Sequence, residues 1–293
     1  MWEVALSTSP HASPRVAPRV DTHPPFVDTF GAEAAELMAR AGQPLDGWQR
    51  DALDVMLGLR PDGKWACFEY AEWVPRQNGK GAILEARALA GLLLLGDDLI
   101  MWSAHEYKTA MEAFRRILRH LNRLGERVND NLLDLGGIRV KVTNTNGEEG
   151  VERLDTGQRL KFVARSKGSG RGFSGDVNII DEAFAYTSEQ QAALMPTMSA
   201  RPNPQIVYTS TPPLTGETGE VMYALRLRGD PQAPRRDGDP EWTQDAALGY
   251  RDWGLAGDLD HLGGVDLDDE RLWAATNPAL RSEEHTAELQ SLT

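Results

Sequence analysis

Val74-Pro75-Arg76-Gln77-Asn78-Gly79-Lys80-Gly81 stands between an apolar, aromatic run over residues 65–73 and a helix-like run over 82–95. A strand, a glycine-bearing turn with a lysine, and then a helix make the context of a phosphate-binding loop. Backbone N–H groups of the turn and of the helix N-terminus face a polyanion there, and the lysine adds a point charge at the outer phosphates. The usual form is glycine, four residues, Gly-Lys, then Ser or Thr. Gly79 and Lys80 fit it, whereas Val74 and Gly81 fill its first and last positions. By itself the octet also fits an ordinary strand-to-helix turn with a solvated lysine.

The second element is Asp176-Val177-Asn178-Ile179-Ile180-Asp181-Glu182-Ala183. A β-branched run ending in two carboxylates puts Asp181 and Glu182 at the C-terminal edge of a parallel sheet, where ligands of open α/β sheets bind. Nucleotide hydrolysis needs one carboxylate to hold Mg²⁺ and another to orient or deprotonate the attacking water. A helix start with acids favoured by the macrodipole is the alternative for this segment. A third strand over 205–208 ends in Thr209-Ser210-Thr211-Pro212-Pro213, whose hydroxyls can sense a γ-phosphate or simply close a proline-terminated strand. Strand tips carrying Gly-Lys, Asp-Glu and Thr-Ser-Thr in that order jointly point to a nucleotide-hydrolysing core.

Other features are weaker. The glycine-rich run over 166–175 bears Lys167 and Arg171 directly before the acidic strand. It reads either as a linker or as a loop delivering a cation to a phosphate. Gln49, beside Trp48 and ahead of the loop, offers an amide that can grip an adenine edge or lie on a helix's outer face. Residues 106–124 form an amphipathic helix whose polar face carries Arg115, Arg116, Arg119 and Arg123, a basic cluster that a solvated face also explains.

Composition bounds the rest. The 293 residues, 41% of them hydrophobic, suffice for one large domain or two smaller ones. A net charge of −13 disfavours non-specific adhesion to nucleic acid over the whole surface, so any DNA contact is local. The single cysteine, Cys67, excludes an internal disulfide framework and suits a reducing compartment. No segment reaches the length of a membrane span, and the N-terminal residues lack the continuous apolar region of a signal peptide.

With these motifs in place the sequence resembles the large subunit of the phage terminase, the ATP-driven motor that packages double-stranded DNA into proheads. The resemblance rests on Pro75 through Lys80, on Gly168 to Gly175 preceding Ile179-Ile180-Asp181-Glu182-Ala183, on Tyr208-Thr209-Ser210-Thr211-Pro212, and on Asn277-Pro278-Ala279-Leu280. It implies an α/β P-loop NTPase fold of the additional-strand, conserved-glutamate type, with a largely parallel sheet flanked by helices. It further implies ATP and Mg as cofactors. Gln77, Asn78, Gly79, Lys80 and Gly81 would form the nucleotide-binding loop, with Lys80 on the β/γ-phosphates and Gln49 on adenine. Arg76 would be the loop arginine of catalysis or nucleotide sensing, Asp181 the Mg ligand and Glu182 the catalytic base. Thr209, Ser210 and Thr211 would couple hydrolysis to movement, and Arg171 is a candidate trans-acting cation. Gly81 departs from the family's usual Ser or Thr, so the metal would rely on Asp181, phosphate oxygens and water.

The implied partners are double-stranded DNA, the portal, the terminase small subunit and further copies of the chain in a ring, in the host cytoplasm and without a membrane. The expected organisation is a flexible N-terminal arm over 1–28, a P-loop ATPase domain over 29–214 and a linker subdomain over 215–280. Residues 281–293 read as translated sequencing-adapter read-through, and the family's RNase H-like nuclease domain, with its endonuclease activity, is expected to be absent from this fragment. A helicase-like or remodelling ATPase shares the same strand tips, and Val74 and Gly81 leave open a non-hydrolysing nucleotide-binding structural protein.

Overall fold

The structure is a computed structural model and describes residues 17–165, 175–211, 219–255, 266 and 269–280. In chain order, β1 (Val20–Thr22), β2 (Asp28–Thr29), α1 (Gly31–Arg40), α2 (Gly47–Met56), β3 (Gly58–Leu59), β4 (Glu69–Trp73) and α3 (Lys80–Ala90) lead into a π-helical turn, Gly91–Leu95. There follow β5 (Leu99–Ala104), α4 (Tyr107–Leu124), β6 (Glu126–Asn129), β7 (Leu132–Asp134), β8 (Arg139–Thr143), β9 (Gly150–Arg153), β10 (Arg159–Ala164) and β11 (Val177–Ile180). The last are α5 (Ser188–Met198), β12 (Gln205–Ser210), α6 (Glu220–Gly229), β13 (Leu248–Asp252) and α7 (Glu270–Thr276).

The main sheet has the order β1-β13-β4-β12-β11-β5-β10-β9-β8-β7-β6. Neighbours from β13 through β10 pair in parallel, while β1 and the β9-to-β6 extension pair antiparallel. Residues of β4, β11 and β12 are buried without exception, as expected of strands covered on both faces. Alternate side chains feed two cores. Tyr70, Val177, Ile179 and Val207 join an apolar layer with α1 to α4, whereas Ala71, Trp73, Ile180, Ile206 and Tyr208 join one with α5 and α6.

The expected loop strand, acid strand and third strand appear as β4, β11 and β12, the last running on to Ser210. β12 lies between β4 and β11, so an extra strand separates the loop-bearing strand from the acid-bearing one. β6 to β9 make an antiparallel extension of the sheet, and β10, antiparallel to β9, returns parallel to β5.

Two expectations are corrected. The arm drawn over 1–28 contains β1, which pairs with β13, and Arg19 is ion-paired to Asp230 at 2.8 Å and to Asp252. The linker drawn over 215–280 contains β13, which pairs with β4 in the central sheet. β13 has the sequence Leu-Gly-Tyr-Arg-Asp, too polar for a core strand by pattern, yet all five residues are buried. Its arginine, Arg251, is paired with Glu72 and Asp21 at 3.5 and 3.2 Å, which makes the burial of charge tolerable. Among the described residues no helix is long and apolar enough to cross a membrane.

Candidate active site

The turn after β4 is held from behind. Gly79 has φ +79°, a left-handed conformation, and a β-carbon there would lie 3.0 Å from Gln49 Nε2, so both backbone and space call for glycine. Gln49, buried on α2, donates from Nε2 to the Gly79 carbonyl at 3.0 Å and accepts from the Asp46 N–H at 2.9 Å through Oε1. Asn78 is buried as well. Its Nδ2 donates to the Arg76 carbonyl at 3.1 Å and to Asn277 Oδ1 at 3.0 Å, and its Oδ1 accepts from the Ala279 N–H at 3.0 Å. These two sequence-singled residues therefore brace the loop, and the Asn277-Pro278-Ala279 segment is brought against it. Arg76 is exposed and does not line the cleft described below.

In front of the loop a cleft of about 370 Å³ is lined by Gln77, Gly79, Lys80 and Gly81 from the loop and by Asp181 and Glu182 from the tip of β11. The strand order brings these tips together because parallel strands deliver their C-terminal ends to one edge. Asp181 is buried. Its Oδ1 accepts from the Thr209 hydroxyl at 3.2 Å and from the Glu182 N–H at 2.9 Å. The Ser210 hydroxyl instead donates to the Thr211 carbonyl at 2.7 Å and accepts from the Phe184 N–H at 3.1 Å. Thr211 is buried, and Arg171 lies outside the described residues.

Glu182 is half-buried and left-handed, with φ 54° and ψ 54°. Gln77 (φ 63°) is the other non-glycine residue with positive φ among those described, and both line the cleft. Burial, then the Asp181 charge, raises the Glu182 carboxyl above its ordinary range, with Arg165 opposing. Its Oε2 is buried with no hydrogen-bond partner among the described residues, and the Thr109 hydroxyl is 3.5 Å from Oε1.

Sequence reading missed Arg165, Thr109 and Glu85, and read Arg116 only as part of a basic helix face. Arg165 is buried and donates from Nη2 to the carbonyls of Asp181 and Glu182 at 2.6 and 2.9 Å, and from Nη1 to the Ser103 carbonyl at 2.9 Å. Burial lowers its pKa to about 10. Its one sequence signal was its position just ahead of the glycine-rich run. Glu85 and Arg116 meet across α3 and α4 beside Lys80. The i,i+4 pairs Gly81/Glu85 and Arg116/His120 were visible, but nothing in the sequence joined the two helices.

As a metal site the donor set is sparse. Among the described residues no three His, Cys, Asp or Glu side chains cluster. Mg²⁺ on a nucleotide takes one or two carboxylates with phosphates and waters, which Asp181 and Glu182 fit.

No family model and no curated protein matches the chain. Among solved structures it is similar to the HK97 bacteriophage large terminase, with 19% identity and a TM-score of 0.64, covering 91% of this chain and 52% of that one. The ATPase domain of the Thermus phage P74-26 large terminase is similar at 17% identity and a TM-score of 0.47, over 73% of this chain and 84% of that one. A large terminase from another thermophilic bacteriophage follows at 10% and 0.47, over 79% and 50%. Of the three, the first assigns the fold, and the chain spans about half the length of that protein. With the loop strand and the acid strand bringing their tips to one cleft and β12 between them, the chain has the α/β P-loop NTPase fold of the phage large terminase.

Proposed function

We propose that this chain is the ATPase portion of a phage DNA-packaging motor of the large-terminase kind. The observation carrying this reading is the shared cleft, in which a glycine-lysine loop at a helix N-terminus faces an adjacent pair of acids. Lys80 and the loop N–H groups hold the β- and γ-phosphates, with Gln77 and Gly81 at the loop's edges. Asp181 would hold Mg²⁺, directly or through its water, together with phosphate oxygens, and the ion would neutralise developing charge on the phosphates. Glu182 orients and deprotonates the attacking water, and its buried, unpartnered Oε2 with raised pKa suits that task.

Thr209 reaches Asp181 directly, so a change at the acid tip would be felt on β12 and, through the Ser210 hydroxyl, at Thr211. This is the route by which Thr209, Ser210 and Thr211 would couple hydrolysis to movement. Gln49 and Asn78 act as braces; an adenine contact by Gln49 requires its amide to exchange one of its present bonds on nucleotide binding. Arg76, exposed beside the loop, is free to meet a phosphate after loop closure or across a subunit boundary, and Arg171 remains the other candidate trans-acting cation. Double-stranded DNA, portal and small subunit are the proposed partners, within a ring of copies in the host cytoplasm.

The test is ATP turnover with Mg²⁺, with and without duplex DNA, beside Lys80→Ala and Glu182→Gln. Loss of turnover by at least about a thousandfold in Glu182→Gln, with nucleotide still bound, is expected of a general base that also positions the water. Full turnover by Glu182→Gln would remove the assigned base. ATP bound but not turned over by the folded parent chain would leave the non-hydrolysing reading.

A further inference from the structure

Gly81 and the guanidinium of Arg116 compete for one space. A β-carbon at position 81 would lie 3.3 Å from Glu85 Oε1 and 3.4 Å from Arg116 Nη2. The hydroxyl side chain usual at this loop position would extend further into the same volume. Glu85, one turn along α3 from Gly81, is buried, and its two carboxylate oxygens are divided between helices. Oε1 accepts from Arg116 Nε at 2.5 Å and Oε2 meets His120 Nε2 at 2.7 Å, both partners projecting from one face of α4. Arg116 is thus tethered through Nε, while neither Nη group bonds to another described residue. The side chain is 26% exposed and lines the cleft together with Lys80, Asp181 and Glu182. An arginine fixed through Nε with its planar fork free is arranged for bidentate capture of phosphate oxygens.

We propose that Arg116 is a phosphate-binding residue of this site, acting in cis, and that position 81 is glycine because Arg116 fills the place of the loop hydroxyl. The inference rests on the nucleotide reading above and deepens it. A loop hydroxyl holds a metal ion that in turn neutralises phosphate; Arg116 delivers its charge without the metal. Binding of a triphosphate is therefore less dependent on Mg²⁺ here than it would be with a hydroxyl at position 81. Glu85 and His120 are positioning residues, setting where the fork lies.

Calorimetric affinities for ATP, ADP and AMP, measured on the full chain with Mg²⁺ and with chelator, test this in Arg116→Met, Gly81→Ser and the double variant, with thermal melts confirming that each is folded. Arg116→Met is expected to weaken ATP on the order of tenfold in both media, the loss of one charge-assisted contact, and to leave AMP nearly unchanged. Gly81→Ser is expected to weaken ATP in the parent, where it displaces the fork, and to strengthen Mg-ATP binding in the Arg116→Met background. ATP affinity of Arg116→Met within about twofold of the parent, while Lys80→Ala abolishes binding, overturns the inference and leaves the nucleotide reading standing. A gain in affinity from Gly81→Ser in the parent overturns it too, and does so even where Arg116→Met folds poorly. A folded parent that binds no ATP at all overturns both readings.

Discussion

Glu182 is held at a cost. Its backbone sits in the left-handed region that L-residues avoid by about 1–2 kcal/mol, and its carboxyl is partly desolvated beside Asp181. Arg165 makes this conformation possible, since its Nη groups bind the carbonyls of Ser103, Asp181 and Glu182 and so fix the peptide on which both acids hang. The raised pKa has a defined sign in stability. A carboxyl that holds its proton more tightly in the folded chain than in the unfolded one contributes stability at low pH, which is lost as pH rises through the folded value. Glu182→Gln removes the charge and keeps the shape. Melting curves are therefore expected to show the variant a few degrees more stable than the parent near pH 8, with the difference vanishing near pH 4. An unchanged melting temperature at pH 8 would mean that the carboxylate is fully solvated in the fold. Arg165→Met has the opposite direction, because three backbone carbonyls each lose a charged donor and only those of Ser103 and Glu182 keep another, from the Asp181 and Ala185 N–H groups. A drop of about 2–4 kcal/mol in denaturant-derived stability is expected. Arg165→Lys recovers only part of it, since one ammonium cannot span the three carbonyls.

At the scale of elements, the phosphate loop is a strap pinned at both ends. Gln49 on α2 takes the Gly79 carbonyl, and Asn78 reaches across to Asn277 and Ala279 just beyond α7. Asn277→Ala deletes one acceptor of Asn78 and keeps the bond from the Ala279 N–H, a loss of about 1 kcal/mol at the loop. Faster hydrogen exchange in residues 76–81, with the amides of β11 and β12 unchanged, is the expected readout; uniform exchange would show that the loop holds itself. The same contacts explain what the sequence could and could not disclose. Loop, acid tip and hydroxyl tip were legible because each is a short motif at the end of an apolar run, and the parallel order then brings them together. The roles of Gln49 and Asn78 were not legible, because an amide next to a loop reads equally as ligand contact or brace until its partners are known. Glu85 and Arg116 went unpaired for a similar reason. Each lies on a helix whose own periodicity explains it, and only the packing of α3 against α4 gives the pair a meaning.

For the molecule as a whole, the question is where the folding unit around the cleft ends. Composition placed a boundary near residue 214, since the following segment is rich in glycine, proline and tryptophan. The sheet crosses that boundary. β13 pairs in parallel with β4 along Glu69 to Trp73 and in turn carries β1, so the strand leading into the phosphate loop is flanked on one side by residues from beyond 214. The joint is also electrostatic. Glu72, fully buried, takes Trp253 Nε1 at 2.6 Å and faces Arg251 Nη1 at 3.5 Å, so removing that segment leaves a buried carboxylate with neither. Breaking a buried pair from one side costs about 3–5 kcal/mol, a large share of a domain's total stability. A chain ending at residue 214 is thus expected to lack a cooperative melting transition, whereas one ending at 255 keeps β13 and Trp253 and melts as a unit. The longer truncation lacks both Asn277 and Ala279, so its loop amides should exchange faster than those of Asn277→Ala while its sheet stays protected. A cooperative melt for the 1–214 fragment would instead make the region after 214 a separate body and remove β13 from the folding unit.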